Sequence, residues 1–515
     1  MSFIKSLVDY LNKPIYFSRR REVSQPRETS PSRIEVTTNI PAAEVRGEDT
    51  SPRVEITQEE RKIDPSPIIS AKTISGDNPI PIVNTRRIYG TENEYGCVNN
   101  GDWIKNPMGD TFLANGGRLY ADCGHVEYAS PETNNPLEAV IFEKAGELIA
   151  PGFYSGTLYK NNVDSLENTF GAHENYFTKI SRDASSFAQL LPFLITRQIF
   201  AGAGNIFQGK YQIAQRSRFM EAAIANSTIS GRGVINTRDG HLADISGWHR
   251  LHLIVGDANM CEGALFLKLG TTGLVLDLME DGRLPSLEYD SSCAVKDIRD
   301  ISTHLKKWKV SGARGTPLAP EIQRMYANAA KEFYSGRDSV TDKVLEMWGD
   351  TLDRLEEDPR SLIGRVDWVT KKALIDQYAK KHNLELSDPR LLNIDLQYHD
   401  LNRSTSLFYR LQDNGKIERV ATDEQILYAV DNPPATTRAF ARGLTVKARP
   451  TTLARKEGIK GAKVDWNNMV LYEIRTNEEG LYQHTVRSSA LNDPFQIYEE
   501  EALEAQKHLR GGNGG

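Results

Sequence analysis

The sequence predicts an α+β fold: a mostly antiparallel β-sheet cradle covered by helices, followed by a small C-terminal domain. Three observations predict it. Between residues 86 and 259, apolar runs of strand character end in polar residues, at Gln215-Arg216-Ser217, Asn236-Thr237-Arg238-Asp239 and Gly256-Asp257-Ala258-Asn259, and they alternate with stretches of helical period. Residues 86–96 and 118–132 interleave acids with few apolar side chains, which suits sheet strands with one polar face. From residue 303 to about 387 the spacing is helical, with Leu345, Met347, Leu352 and Leu355 on one side and acids opposite.

Length and charge narrow the class further. At 515 residues, 39% of them hydrophobic, the chain has room for two or three domains and a sizeable core. A net charge of −6, a pI near 6.0 and 69 acidic side chains exclude a general nucleic-acid binder. Cys97, Cys123, Cys261 and Cys293 lie far apart without Cys-x-x-Cys spacing, so neither a disulfide framework nor a zinc knuckle is expected, and a reducing cytoplasm is the expected compartment. No apolar run reaches the roughly 18–20 residues a membrane span needs, and the N-terminus lacks the order of a signal peptide.

The elements follow in chain order. Phe3, Ile4, Leu7, Val8 and Leu11 predict a short amphipathic helix over 3–12, stopped by Pro14. It is too short to be stable alone and suits docking on a partner, a membrane surface or the catalytic domain; a fraying tail is the bland reading. The rest, to residue 85, is rich in Ser, Thr, Pro, Glu and Arg without sustained period and is expected to be disordered. A strand over 86–96 places Glu92 and Glu94 on one face. After the acidic stretch, a helix is expected over 137–149, a short strand at 156–159, a polar run His173-Glu174-Asn175, and a helix over 187–200 capped by Ala201-Gly-Ala-Gly204. A buried strand from Arg250 and a core helix over 265–278 close the sheet region. Pro433-Pro434 and Gly443 mark a loop, Lys447 to Lys463 reads as a charged loop, and a smaller unit with a strand over 466–474 and a helix over 495–509 ends the chain. The expected domains are thus 1–85 (extension), 86–435 (catalytic) and 436–515 (C-terminal).

Chemistry concentrates between Arg118 and Glu132. On an extended strand Tyr120 and Asp122 share a face, and a turn at Gly124 brings Glu127 back towards them. With Glu92 and Glu94 nearby, the carboxylates repel unless a cation lies between them, which points to a Mg²⁺ or Mn²⁺ site with one carboxylate spare for chemistry. A solvated strand edge is the alternative. His173, Glu174 and Asn175 cannot all be buried without partners, and a phosphate or metal would satisfy them. Arg216 and Arg238, each at the end of a strand-like run, suit a nucleotide polyphosphate.

Six ordered motifs, Arg86-Arg-Ile-Tyr-Gly-Thr-Glu-Asn-Glu-Tyr-Gly96, Asn115-Gly-Gly-Arg-Leu-Tyr-Ala-Asp122, Tyr159-Lys-Asn-Asn-Val-Asp164, His173-Glu-Asn-Tyr176, Ile235-Asn-Thr-Arg-Asp239 and Arg250-Leu-His-Leu-Ile-Val-Gly-Asp-Ala-Asn259, resemble the Pup ligase and Pup deamidase/depupylase family. Pup is the small ubiquitin-like tag of bacterial proteasome systems. The resemblance covers roughly residues 86–500 and implies a glutamine-synthetase-like sheet that binds ATP and Mg²⁺, with the Pup C-terminus in a neighbouring groove. It implies metal positions at Glu92, Tyr120 and Glu127 and in the His173-Glu174 motif, an essential aspartate at Asp122, and nucleotide contacts from Glu94, Arg216 and Arg238. His241 belongs to the same set, although the family motif Arg-Asp-Glu-Pro-His-Ala-Asp places its histidine one position later, so its role is open. Pup and lysine-bearing or pupylated proteins are the implied partners.

Two branches compete. Asp122 and Glu127 are five apart, as in the deamidase branch, and residues 135–147, 232–239 and 267–272 resemble that branch too. Only sixteen residues, Cys97 to Phe112, separate the acidic strands, which leaves no room for the long loop typical of the deamidase, and Asn492-Asp-Pro-Phe495 is ligase-like. The balance favours a loop-less depupylase or deamidase, with a Pup–protein ligase as the alternative and an inactive scaffold as the third reading. The Gly-Gly end at Gly515 reads as a flexible tail, with mimicry of the tag as the alternative.

Overall fold

The computed structural model describes residues 78–83, 85–99, 102–103, 109–238, 245–449 and 457–510. The helix expected over 3–12, the extension up to residue 77, His241 and the Gly-rich tail lie outside the described residues. The disorder expected up to residue 85 does not reach that far. Ile80 is buried in a cluster with Ile141, Phe142, Ala145, Ile426 and Ala429, and Gln425 Nε2 donates to the Pro79 carbonyl at 3.0 Å. An apolar side chain between prolines needs little ordering and gains a core contact.

Among the described residues, twelve strands precede the C-terminal sheet: β1 (Tyr89–Asn99), β2 (Asp102–Trp103), β3 (Thr111–Phe112), β4 (Arg118–Asp122), β5 (His125–Ala129), β6 (Thr157–Tyr159), β7 (Ala172–Thr178), β8 (Asn205–Phe207), β9 (Lys210–Gln212), β10 (Ala222–Ala225), β11 (Gly233–Asn236) and β12 (His249–Leu253). Ten of them form one sheet in the order β10-β11-β12-β7-β1-β5-β4-β3, with β2 and β6 also paired to β1. Only the β10–β11 pair is parallel among them, as the antiparallel expectation requires for the rest.

The central strand shows why this sequence makes a two-faced sheet. In β1, Tyr89, Thr91, Asn93 and Tyr95 are buried, while Gly90, Glu92 and Glu94 alternate with them on a partly exposed face. The buried face is covered by the helix Pro136–Ile149, started by Asn135, whose side chain accepts from Glu138 N at 2.8 Å, and by Glu262–Glu280, which is buried on nearly every side. A Cβ at Gly146 would collide with the Tyr128 ring, so the absence of a side chain lets this helix lie flat on the sheet. The helices Ala319–Tyr334, Ser339–Glu357 and Asp367–His382 form the expected scaffold.

At the C-terminal end the strands β13 (Lys460–Val464), β14 (Asn468–Asn477) and β15 (Gly480–Ala490) make a separate antiparallel sheet. Its core joins Phe440, Leu444, Met469, Leu471, Leu491 and Leu509, drawn also from the helices Ala439–Ala448 and Glu499–Arg510. Gly443 therefore lies within a helix, not in the expected loop. A side chain there would strike Pro433 and the Ala114 carbonyl, so close helix packing, not turn geometry, explains the glycine. Among the described residues no helix is long and apolar enough to cross a membrane.

Candidate active site

The strands bring the acids together through register. Glu94 on β1 sits directly across from Glu127 on β5, and Glu127 sits across from Tyr120 on β4, whose hydroxyl donates to Glu127 Oε1. Cys123 (φ 48°) and Gly124 (φ 92°) form the two-residue β4–β5 turn in which both residues are left-handed, so Asp122 pairs with His125. On the other side of β1, Glu92 faces His173 of β7, with His173 Nδ1 3.4 Å from Glu92 and Nε2 3.8 Å from Glu94. A Cβ at Gly171 would meet the His173 ring, so that glycine clears the space the imidazole occupies.

These residues line a cavity of about 700 Å³ with Arg216, Arg232, Arg238, Arg250 and His252. Two triads within it, Glu92–His173–His252 and Glu94–Asp122–Glu127, each offer ligand atoms within 4.8 Å of one another. The electrostatics call for a cation. Burial, with Glu92 and Glu94 close by, pushes the Glu127 carboxyl well above the usual carboxylate range, and its Oε2 is buried without a hydrogen-bond partner among the described residues. Burial opposes ionisation of Glu92 as well, but the hydrogen bond from His173 and the neighbouring His252 and Arg250 hold its carboxyl well below the ordinary value. Burial drives His252 down to about 3, so the imidazole is neutral and competent to ligate. Its Nδ1 lies 2.9 Å from Asn175 Oδ1, and donation there leaves Nε2 free. The oxygen-only triad Glu94–Asp122–Glu127 fits a hard ion such as Mg²⁺ or Mn²⁺, the triad with two imidazoles is a softer set that suits Mn²⁺ better than Mg²⁺, and the orphaned Glu127 oxygen is what a bound ion would satisfy.

The guanidinium groups form the other half of the site. Arg216 is buried, and it donates to Thr169 Oγ1 at 2.7 Å, to the Phe170 carbonyl at 3.1 Å and to the Ile254 carbonyl at 3.2 and 3.1 Å. All of these acceptors are neutral, and burial pulls Arg216 down to about 10. A buried guanidinium held by neutral acceptors suits an anion such as a phosphate. Arg250 Nη1 lies 3.5 Å from Glu92 and 3.1 Å from Asn175 Oδ1.

The structure brings together Glu92, Glu94, Tyr120, Asp122, Glu127, His173, Arg216 and Arg238. It does not bring Glu174 to them. Successive residues on a strand face opposite ways, and Glu174 points into the helical layer, where Arg197 grips it at 2.6 and 2.8 Å and Tyr176 donates to it at 2.6 Å. Burial in a run of polar residues was therefore satisfied by an internal ion pair, not by a metal or phosphate. Three site residues escaped the sequence reading: Arg232, Arg250 and His252. The signal for two of them was there, since Arg250 and His252 are two apart on a strand and so share a face, but the surrounding apolar residues read only as core.

A second cavity of about 130 Å³ adjoins the first and shares Glu92 and Arg250 with it. Part of its lining is aromatic, with Phe177 and Trp248 stacked at 5.0 Å and Trp466 from the C-terminal part of the chain, and Glu132, Asn175 and Arg438 add polar groups. Glu132, from the end of the acidic stretch, is ion-paired to Arg438 at 2.8 Å and to Arg442, which fixes that wall.

The family model described as Pup-ligase protein matches residues 29–470. The chain belongs to this family. The Pup–protein ligase of Acidimicrobium ferrooxidans is 36% identical over 460 residues, covering 81% of this chain and 97% of that protein. Among solved structures, the complex between the prokaryotic ubiquitin-like protein Pup and its ligase PafA matches with a TM-score of 0.71 at 35% identity, over 83% of this chain and 93% of that one. The Pup ligase PafA in complex with ADP matches with a TM-score of 0.67 at 36% identity, over 79% and 91%.

These relatives correct the branch assignment. The expectation of a depupylase or deamidase, and of a hydrolase as the enzyme class, is overturned, because the matched members of the Pup-ligase family are ligases along nearly their whole length. The misleading feature was the five-residue Asp122–Glu127 spacing. In the structure that spacing measures only a two-residue turn between β4 and β5, which says nothing about whether an amine or water attacks. The short Cys97–Phe112 connection pointed the right way.

Proposed function

We propose that the chain is an ATP- and Mg²⁺-dependent Pup–protein ligase that joins the C-terminal glutamate of Pup to lysines of target proteins. The observation that carries this reading is the pair of adjoining cavities that meet at Glu92 and Arg250, one with an aromatic wall of Phe177, Trp248 and Trp466, the other lined by acids, histidines and arginines. A nucleotide has the same two halves. The base would lie against Phe177, Trp248 and Trp466, and the phosphates would reach Arg216, Arg238 and Arg250. Similarity to the ADP-bound ligase supports this placement, and similarity to the Pup complex supports the tag as partner.

Glu92, His173 and His252, with Glu94, Tyr120 and Glu127, would hold the divalent ions, which when bound neutralise the phosphate oxygens. The carboxylate of the tag attacks the γ-phosphorus of ATP, the bond to the β-phosphate oxygen breaks, and ADP leaves. The lysine nitrogen then attacks the acyl carbon, inorganic phosphate departs with the bonding electron pair, and Asp122 accepts the amine proton. We assign residues 86–435, with Ile80 packed into their core, to the catalytic unit and 436–515 to the unit that supplies Arg438 and Trp466. Use of ATP and four free thiols fit the cytoplasm.

The test is to incubate the protein with ATP, Mg²⁺, Pup ending in glutamate and a lysine-bearing protein. One ADP for each conjugate formed is the expected result. Absence of both, with the protein folded, would end the reading.

A further inference from the structure

Two aliphatic side chains stand at the mouth of the polar cavity, Leu166 at 72% exposure and Ile229 at 70%. Aliphatic side chains that line a mostly polar cavity offer apolar surface that a substrate with an apolar stem could cover on binding. Leu166 is held outward rather than left free. Asp164 Oδ1 accepts from Leu166 N and Asn168 N, both at 2.8 Å, and the loop is closed by Asp164 N donating to the Asn168 carbonyl at 3.1 Å. The same loop is tied to the Asp122 hairpin, because Phe170 stacks on His125, the cross-strand neighbour of Asp122, at 4.5 Å. Ile229 belongs to a separate segment, three residues before Arg232, which also lines the cavity.

We propose that Leu166 is a specificity-determining contact for the acceptor: it covers the methylene stem of the target lysine while the amine reaches Asp122. This rests on the ligase reading above, in which Asp122 takes the amine proton. A lysine brings a cation and an apolar stem, which matches Leu166 beside the Asp122 hairpin. The tag brings a carboxylate, which matches the arginines of the same cavity, Arg216, Arg232, Arg238 and Arg250.

Hydroxylamine separates the two steps. It attacks the acyl phosphate as a small nucleophile with no stem, so hydroxamate formation from ATP and Pup reports activation alone. Conjugate formation with a lysine-bearing protein reports activation and acceptor binding together. For Leu166→Ser the KM for the acceptor protein is expected to rise roughly five- to ten-fold, from the lost apolar contact, with the KM for Pup and the hydroxamate rate near the parent values. Leu166→Met, which keeps an apolar side chain, should restore the acceptor KM. An unchanged acceptor KM in Leu166→Ser overturns the proposal, and so does an equal loss in both reactions or a raised KM for Pup. Should the parent protein make neither hydroxamate nor conjugate, the ligase reading itself fails and takes the proposal with it. Hydroxamate without any effect of Leu166 removes the proposal alone.

Discussion

At the scale of single residues, the site is a set of charges that is unsatisfied as the protein alone presents it. Glu127 is raised by burial and by two neighbouring carboxylates, Glu92 is lowered despite burial, and His252 is kept neutral. One environment thus splits chemically similar groups into different protonation states, which is how a metal and a base are accommodated side by side. Asp122→Asn keeps the size and much of the hydrogen bonding but cannot accept a proton. Conjugate formation should fall by roughly 10²–10⁴-fold, with the melting temperature unchanged, as gel-based rates and calorimetry would show. His252→Ala removes an imidazole that lies against both Glu92 and His173. The Mg²⁺ concentration for half-maximal activity should rise roughly 10- to 100-fold, and saturating Mg²⁺ should recover part of the rate; indifference to Mg²⁺ would exclude His252 as a ligand.

At the scale of elements, buried ionisable groups tie helices to the sheet and set how stability responds to pH. Glu138, in the first turn of the helix Pro136–Ile149, is buried and accepts from Asn134 N at 3.2 Å and Thr436 Oγ1 at 3.3 Å. Burial raises its carboxyl to about 7. The sign follows from which state holds the proton. Below the unfolded value both states are protonated and Glu138 costs nothing. Between the unfolded value and about pH 7 the folded state alone keeps the proton, so stability falls as pH rises, by up to about 3 kcal/mol in all. Glu138→Gln should remove that slope, so that the variant gains on the parent between pH 5 and pH 8 in urea-unfolding midpoints; parallel profiles would show that Glu138 ionises freely. Glu174 is an element-scale residue too: strand alternation on β7 turns it away from the cavities that His173 and Asn175 line, and the helical layer packed behind the sheet supplies Arg197 as its partner.

At the scale of the whole molecule, the aromatic cavity is assembled from distant parts of the chain, with Phe177 on β7, Trp248 just before β12 and Trp466 between β13 and β14. Trp466 is placed by Arg442, whose guanidinium lies 4.7 Å from its ring and donates to its carbonyl at 2.9 Å. Trp466→Ala should raise the KM for ATP roughly ten-fold, from the loss of stacked apolar area, without moving the KM for Pup. A raised KM for Pup with an unchanged KM for ATP would place the nucleotide elsewhere.

Local residue order is enough to set the strand face of Glu92 and Glu94, the hairpin that returns Glu127 to Tyr120, and the helix Pro136–Ile149, because each depends on a short period and a local turn. Packing between distant segments is what makes Glu174 a core ion pair and Gly443 a packing glycine inside a helix, and what turns the shared face of Arg250 and His252 towards the site. These depend on what packs across the sheet, and a local pattern carries no record of its neighbours from elsewhere in the chain.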